Sequence, residues 1–265
     1  MLRLDRSPLC LLRKLAFVAV AGGMVFAQAG ESGAQPDSAR LRLPRLLSNG
    51  MVIQRDALIP VWGWAMPGTR VKATLRGRAA TAITGRDSTW RMSFPAMTAG
   101  GPYDLLVEAG GDRIVVRDIL VGDVWVASGQ SNMALTVNAA KDSALAIGTA
   151  GDPKLRHFNV PESFADSPAD DLAGGSWEAA DSQHVGSFSA VAYYFTRDLR
   201  KATGVPIGLI HTSWGGANIE TWMSRAALGL TDSAWAAILE REKARDAAIR
   251  DTLLARLFLV SGNLR

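Results

Sequence analysis

One cysteine is all the chain has, and it sits at Cys10, inside a stretch that reads as an export signal. Once that stretch is removed there is no thiol, which excludes disulfides, a cysteine nucleophile and cysteine metal ligands. Histidine is almost as scarce. His157, His184 and His211 stand far apart, with no HExxH-like spacing. No metal site is expected from them, and nothing points to an organic cofactor. Excess charge is missing too. The 29 Lys and Arg face 25 Asp and Glu. Arg3, Arg6, Arg13 and Lys14 lie in the signal with only Asp5, so 25 basic residues face 24 acidic ones in the remainder. No basic stripe alternates with aromatics, so nucleic acid is not an expected partner. The longest apolar run, "LAFVAVAGGMVFA" from Leu15 to Ala27, is too short to anchor a chain across a bilayer. With the basic residues before it and Ala27-Gln28-Ala29 after it, it reads as a secretory signal over residues 1–29. The expected destination is the periplasm or the exterior, with no stable membrane anchor after cleavage.

What is present is a folded composition, 48% hydrophobic and 20% charged. A polar linker, "GESGAQPDSAR", occupies 30–40. From 41 to 118 the pattern has period two. "RVKATL" aligns Val71, Ala73 and Leu75; "WRMSF" aligns Trp90, Met92 and Phe94; "YDLLVEA" aligns Tyr103, Leu105, Val107 and Ala109. Turn signals such as Ser48-Asn49-Gly50, Pro67-Gly68 and Gly110-Gly111-Asp112 separate these runs. The pattern predicts a small all-β sandwich.

Over 119–265 the pattern changes to alternating strands and helices, which predicts an α/β domain. "ILVGDVWVAS", Ile119 to Ser128, is nearly all apolar and reads as a strand buried on both faces. "RHFNV", Arg156 to Val160, is a weaker strand candidate. "FSAVAYYFTRDLRKATG" has helical spacing, with Phe188, Val191, Ala192, Phe195 and Leu199 on one stripe, Ser187 to cap it and Gly204 to end it. "IGLIHTS", Ile207 to Ser213, reads as another buried strand. Asp232 caps a long last helix.

Two strand ends carry chemistry-bearing residues. After the first apolar strand comes "SGQSNM". Gly129 permits a sharp turn, and Ser131 then presents its hydroxyl where a strand gives way to a helix. The logic is that of a nucleophile elbow, although the sequence is G-Q-S-N-M and lacks the second glycine. A plain helix cap followed by Asn132 is the alternative reading. After the second strand comes "SWGG", Ser213 to Gly216. Parallel pairing places it on the same sheet edge, where its amides become candidate oxyanion donors.

Together, "VGDVWVASGQSNM" and "VPIGLIHTSWGGANIETWMS" resemble the sialate O-acetylesterase family of SGNH (GDSL-like) hydrolases. "LLSNGMVIQRD" and "IPVWGWAMPGTRV" resemble that family's N-terminal β-sandwich, and "FSAVAYYFTRDL" resembles the helix before its second motif. The likeness covers roughly 43–223. It implies a flavodoxin-like three-layer sheet, here partial, behind the sandwich. It implies an O-acetylated sugar as substrate, typically acetylated sialic acid. Ser131 is the implied nucleophile, with the amides of Ser131 and of Gly215 or Gly216 as the oxyanion hole. Gln130, Asn132 and Trp214 are candidate substrate contacts, and no cofactor is implied.

The family's base is a histidine in a late Asp-x-x-His-like motif, preceded by a Gln-Gly-Glu-like block. Neither is found here. The expectation is that these 265 residues form the front part of a longer enzyme, or come from an interrupted frame. Among the local histidines, His211 stands nearest to the turn, but a position-filling role is the expectation for all three. Two alternatives stay open: a non-catalytic carbohydrate-binding protein or relic that uses Trp125, Trp214 and Trp222, and an esterase for acetylated xylan.

Overall fold

A computed structural model describes residues 40–262 apart from 164, 166 and 167, with side chains as far as residue 250. The signal and nearly all of the linker lie outside the described residues. The strands are β1 (Val52–Gln54), β2 (Ile59–Trp64), β3 (Arg70–Leu75), β4 (Arg78–Ile83), β5 (Thr89–Phe94), β6 (Gly100–Ala109) and β7 (Asp112–Gly129). There follow α1 (Ser131–Ala134), α2 (Ser143–Gly148), β8 (Gly151–Asn159), β9 (Trp177–Asp181), α3 (Ala190–Thr203), β10 (Ile207–Ser213) and α4 (Asp232–Gly262). This is a mixed α/β fold, in line with the sequence reading.

Strands β3 and β5 and the second half of β6 follow the period-two pattern. In β5, Trp90, Met92 and Phe94 are buried while Thr89, Arg91 and Ser93 are exposed. In β3, Val71, Ala73 and Leu75 point inward in the same way. β2 and β5 form an antiparallel pair, set against the sheet that contains β4, β3 and β6. Turn chemistry, alternation and burial agree here, which is what a well-specified sheet requires.

β7 is an 18-residue strand that takes part in two pairings. Its first half pairs antiparallel with β6, and Leu120–Gly122 pair parallel with β1. Its second half pairs parallel with β10, from Ile207↔Asp123 to Ser213↔Gly129. β10 in turn pairs parallel with β8, and β8 antiparallel with β9. The sheet therefore runs β4-β3-β6-β7-β10-β8-β9. One apolar cluster extends along it from Val71 and Trp90 to Phe158 and Trp177. Phe158 is fully buried, worth about 2–3 kcal/mol relative to exposure. Arg156 crosses the same region. Its guanidinium donates to the Gly50 carbonyl at 3.3 Å and to the Asp118 carboxylate at 2.8 Å.

Five details differ from the sequence reading. "ILVGDVWVAS" is buried only in part. Ile119, Leu120 and Val121 are inside, but Trp125 is 42% and Val126 65% exposed. Beyond Val124, whose amide donates to Gln54 Oε1, no strand among the described residues pairs with that edge of β7. The "RHFNV" segment is stronger than its composition suggests, because β8 is an inner strand with Arg156, His157 and Phe158 buried. The buried face of α3 is rotated: Ala192, Tyr193 and Thr196 are inside, while Val191 and Phe195 are about half exposed. Its cap is Ser189, whose hydroxyl accepts from the Ala192 amide, and not Ser187. Gly204 does end it, in the left-handed conformation. At the start of α4 the capping hydroxyl belongs to Thr231, and Asp232 is the first helical residue.

Candidate active site

The register of β7 against β10 decides what meets at the sheet edge. Ser213 pairs with Gly129, so the chain leaves both strands at the same level. The Trp214 amide donates to the Gly129 carbonyl at 3.0 Å, which ties the two exits together. A Cβ built on Gly215 would lie 4.0 Å from the Ser131 Cα. Thus the "SGQS" and "SWGG" stretches, 82 residues apart as Ser131 and Ser213, form one surface.

Gly129 makes the first turn possible. Its φ of +147° belongs to a region that residues with a side chain rarely occupy. The next residue, Gln130, takes the cap position of α1 but makes no side-chain cap bond. Ser131 is the first helical residue and is exposed, so it is not itself the helix cap. The exit of α1 is stitched to α3: the Ala190 amide donates to Leu135 O at 2.8 Å and the Val137 amide to Phe188 O at 2.9 Å.

The backbone amides of Ser131, Asn132, Gly215 and Gly216 have no protein acceptor among the described residues, whereas Met133 and Ala134 both donate to Gln130 O. Gly216 has φ +79°, which turns the second loop back after Gly215. Gln130 and Asn132 are exposed beside Ser131, and Trp214 is 37% exposed. Trp222 is similarly open at 39%, in a short turn of 3₁₀ helix over Ile219–Trp222.

The histidines are placed differently. No imidazole nitrogen among the described residues hydrogen-bonds the Ser131 hydroxyl. His211 is buried, with Nδ1 3.0 Å from Asn159 Oδ1 and Nε2 2.7 Å from Ser213 Oγ. Burial lowers its pKa, and hydrogen bonding with the Met133 backbone partly opposes that. His157 is more deeply buried and stacks on Phe188 at 4.2 Å. Its Nε2 has no partner, and desolvation, with a smaller contribution from His211, lowers its pKa to about 3. His184 lies between Asp181 at 2.8 Å and Glu178 at 3.1 Å. The sequence reading missed Asn159, and singled out Ser213 for the backbone of its turn, not for its hydroxyl; each is the last residue of a strand.

A separate cavity of about 1010 Å³ lies between the 165–169 stretch and the segment from Glu220 to Ile238. It is lined by Met223, Arg225, Leu228 and Trp235 among others, and no residue of the Ser131 turn borders it. Chemistry, not cavity size, therefore selects the Ser131 surface. No helix among the described residues is long and apolar enough to cross a membrane. Among the described residues there is also no cluster of three His, Cys, Asp or Glu suited to a metal ion.

The family described as carbohydrate esterase, sialic acid-specific acetylesterase, matches residues 121–258, just over half of the chain. The chain belongs to this family. Relatives of the same kind are named sialate O-acetylesterase. That of Pongo abelii is 34% identical over 209 residues, covering 71% of this chain and 39% of its own length. That of Homo sapiens is 33% identical with the same coverage. A crystal structure of a carbohydrate acetylesterase from Xanthomonas citri superposes with a TM-score of 0.71 at 44% identity, over 74% of this chain and 45% of that one. The chain thus spans about two fifths of these sialate O-acetylesterases. Both turns, at Ser131 and at Ser213–Gly216, lie inside the acetylesterase match.

Proposed function

We propose that this chain carries the nucleophile and oxyanion side of a carbohydrate esterase that removes O-acetyl groups from sugars, acetylated sialic acid first among them. Ser131 Oγ attacks the acetyl carbonyl as its proton passes to a base. The tetrahedral oxyanion is held by the Ser131 amide and by the amide of Gly215 or Gly216. Collapse breaks the ester C–O bond, and the sugar oxygen leaves with a proton. Water then attacks the acetyl-enzyme, releasing acetate and restoring the serine.

The observation that carries this reading is the approach of Gly215 to the exposed Ser131, with the Ser131, Gly215 and Gly216 amides lacking a protein acceptor among the described residues. The names of the relatives support the ester class. No base is assigned among the described residues, because both ring nitrogens of His211 are already engaged. Gln130, Asn132 and Trp214 are proposed to border the sugar. Export by the signal at residues 1–29 fits an extracellular glycan substrate.

The test is hydrolysis of an aryl acetate and of an O-acetylated sialic acid by the chain and by Ser131→Ala. The proposal expects hydrolysis that depends on Ser131. Equal rates for both proteins on both esters would end it. A second reading, a sugar-binding surface without catalysis, is favoured by the exposed Trp214 and Trp222 and by the lack of a base beside Ser131. It predicts sialoside binding unchanged by Ser131→Ala.

A further inference from the structure

Behind the Ser131 turn, one imidazole joins the ends of two strands, and the esterase chemistry proposed above does not use it. His211 lies on β10 two residues before its end, so its side chain and that of Ser213 share a face of the strand. The Ser213 hydroxyl stands 2.7 Å from Nε2, and Asn159 Oδ1 stands 3.0 Å from Nδ1. Asn159 is the last residue of β8. The ring is buried at 7% exposure, and His157 backs it with ring centroids 5.4 Å apart.

With the Asn159 carbonyl oxygen facing Nδ1, the neutral ring carries its proton there and donates it to Asn159. Nε2 is then a lone pair that accepts from Ser213. Burial keeps the ring in that neutral form near pH 7.

We propose that Asn159, His211 and Ser213 form a buried brace that positions the "SWGG" loop, and so its oxyanion amides, over Ser131. The reason lies in what else holds that loop. The strand ladder ends at Ser213↔Gly129, and two further bonds follow it: Trp214 N to Gly129 O, and Ala217 N to Trp214 O at 3.2 Å, which closes the turn over Gly215 and Gly216. Among the described residues, Gly215 and Gly216 make no hydrogen bond of their own. The turn from Trp214 to Ala217 is anchored through Ser213, whose side chain the brace fixes from below. Oxyanion donors act only within a narrow distance range, and a displacement of about 1 Å costs on the order of a hundredfold in rate. Ser213 acts here through the loop and touches no reacting atom. The brace rests on the esterase reading, so the test keeps the two apart.

Three variants are compared with the parent chain: Ser213→Ala, Ser213→Thr and Ser131→Ala. For Ser213→Ala, kcat on an aryl acetate falls roughly tenfold to a hundredfold while KM stays within about twofold. Ser213→Thr keeps the hydroxyl and restores kcat. In parallel, amide hydrogen exchange at Gly215 and Gly216 speeds up by roughly tenfold in Ser213→Ala, is restored by Ser213→Thr, and is unchanged along β5. In the parent, imidazole nitrogen shifts show His211 protonated on Nδ1 with Nε2 free to accept. Parent-like kcat and exchange in Ser213→Ala overturn the brace, and so does a threonine variant that fails to rescue. A doubly protonated His211 near pH 7, which would leave no nitrogen to accept, overturns the neutral-ring brace without any variant. If Ser131→Ala hydrolyses as fast as the parent, the esterase reading fails, and the exchange and nitrogen-shift results alone decide the brace.

Discussion

A methyl group on Gly122 tests how the strands bring the two turns together. Gly122 is the point where β7 passes from its pairing with β1 to its pairing with β10. A Cβ built there overlaps the Pro206 carbonyl group. The Asp123 amide donates to that same carbonyl at 2.9 Å, immediately before the first rung, Ile207↔Asp123. Gly122→Ala therefore forces the start of β10 away from β7. Overpacking of this kind costs about 1–3 kcal/mol, and loss of the Asp123–Pro206 bond adds about 1 kcal/mol. The expected loss is about 3 kcal/mol, or roughly 6–12 °C in Tm for a domain of this size. Urea unfolding followed by tryptophan fluorescence reads it. Gly148→Ala is the matched control, because a Cβ at the end of α2 meets nothing within 4 Å. That variant should match the parent or gain up to about 1 kcal/mol. If the two alanine variants unfold at the same urea concentration, the close-approach argument is wrong. The catalytic corollary is that Gly122→Ala also loses Ser131-dependent hydrolysis, because the level at which β10 ends is set by that first rung.

Acid should weaken the fold through its buried histidines. His157 titrates near 3 when folded and near 6.5 when unfolded, so protons bind the unfolded chain preferentially between those values. Its contribution is intact above pH 6.5 and is lost progressively toward pH 3, reaching about 2–3 kcal/mol near pH 4.5. His211 shifts in the same direction. His157→Leu should flatten the stability profile between pH 6.5 and 4.5, and a profile as steep as the parent's contradicts the assignment. Arg156→Met leaves the Gly50 carbonyl without its donor and frees Asp118, at an expected cost of about 2–4 kcal/mol by urea denaturation. A change below about 0.5 kcal/mol rules out a bridging role for Arg156. The open edge of β7 should make the chain self-associate, and Val126→Lys should suppress concentration-dependent light scattering. Unchanged scattering points to another surface.

The β-sandwich region was legible because each strand buries one face, so alternation maps directly to inside and outside. Ser131 and the "SWGG" turn were legible as strand ends, and parallel pairing then brought them to one edge. The apolar run through Trp125 and Val126 misled because composition reports what a strand can bury, not which neighbour is there to cover it. The rotation of α3 has a chemical cause. Tyr193 and Thr196 look polar, yet both are buried, and the Thr196 hydroxyl donates to the Ala192 and Tyr193 carbonyls of its own helix. An inward-facing hydroxyl satisfied this way escapes a hydrophobic count. The Asn159–His211–Ser213 chain joins residues 52 positions apart, and no local pattern announces such a contact.

The central claim is that Ser131 is acetylated during turnover. The direct measurement is mass spectrometry of the chain after incubation with an aryl acetate, followed by peptide mapping. With no base among the described residues beside Ser131, deacetylation should lag behind acetylation. The account predicts an acetyl group on the peptide containing Ser131, absent in Ser131→Ala. An unmodified Ser131 with no phenol released above the Ser131→Ala level contradicts it.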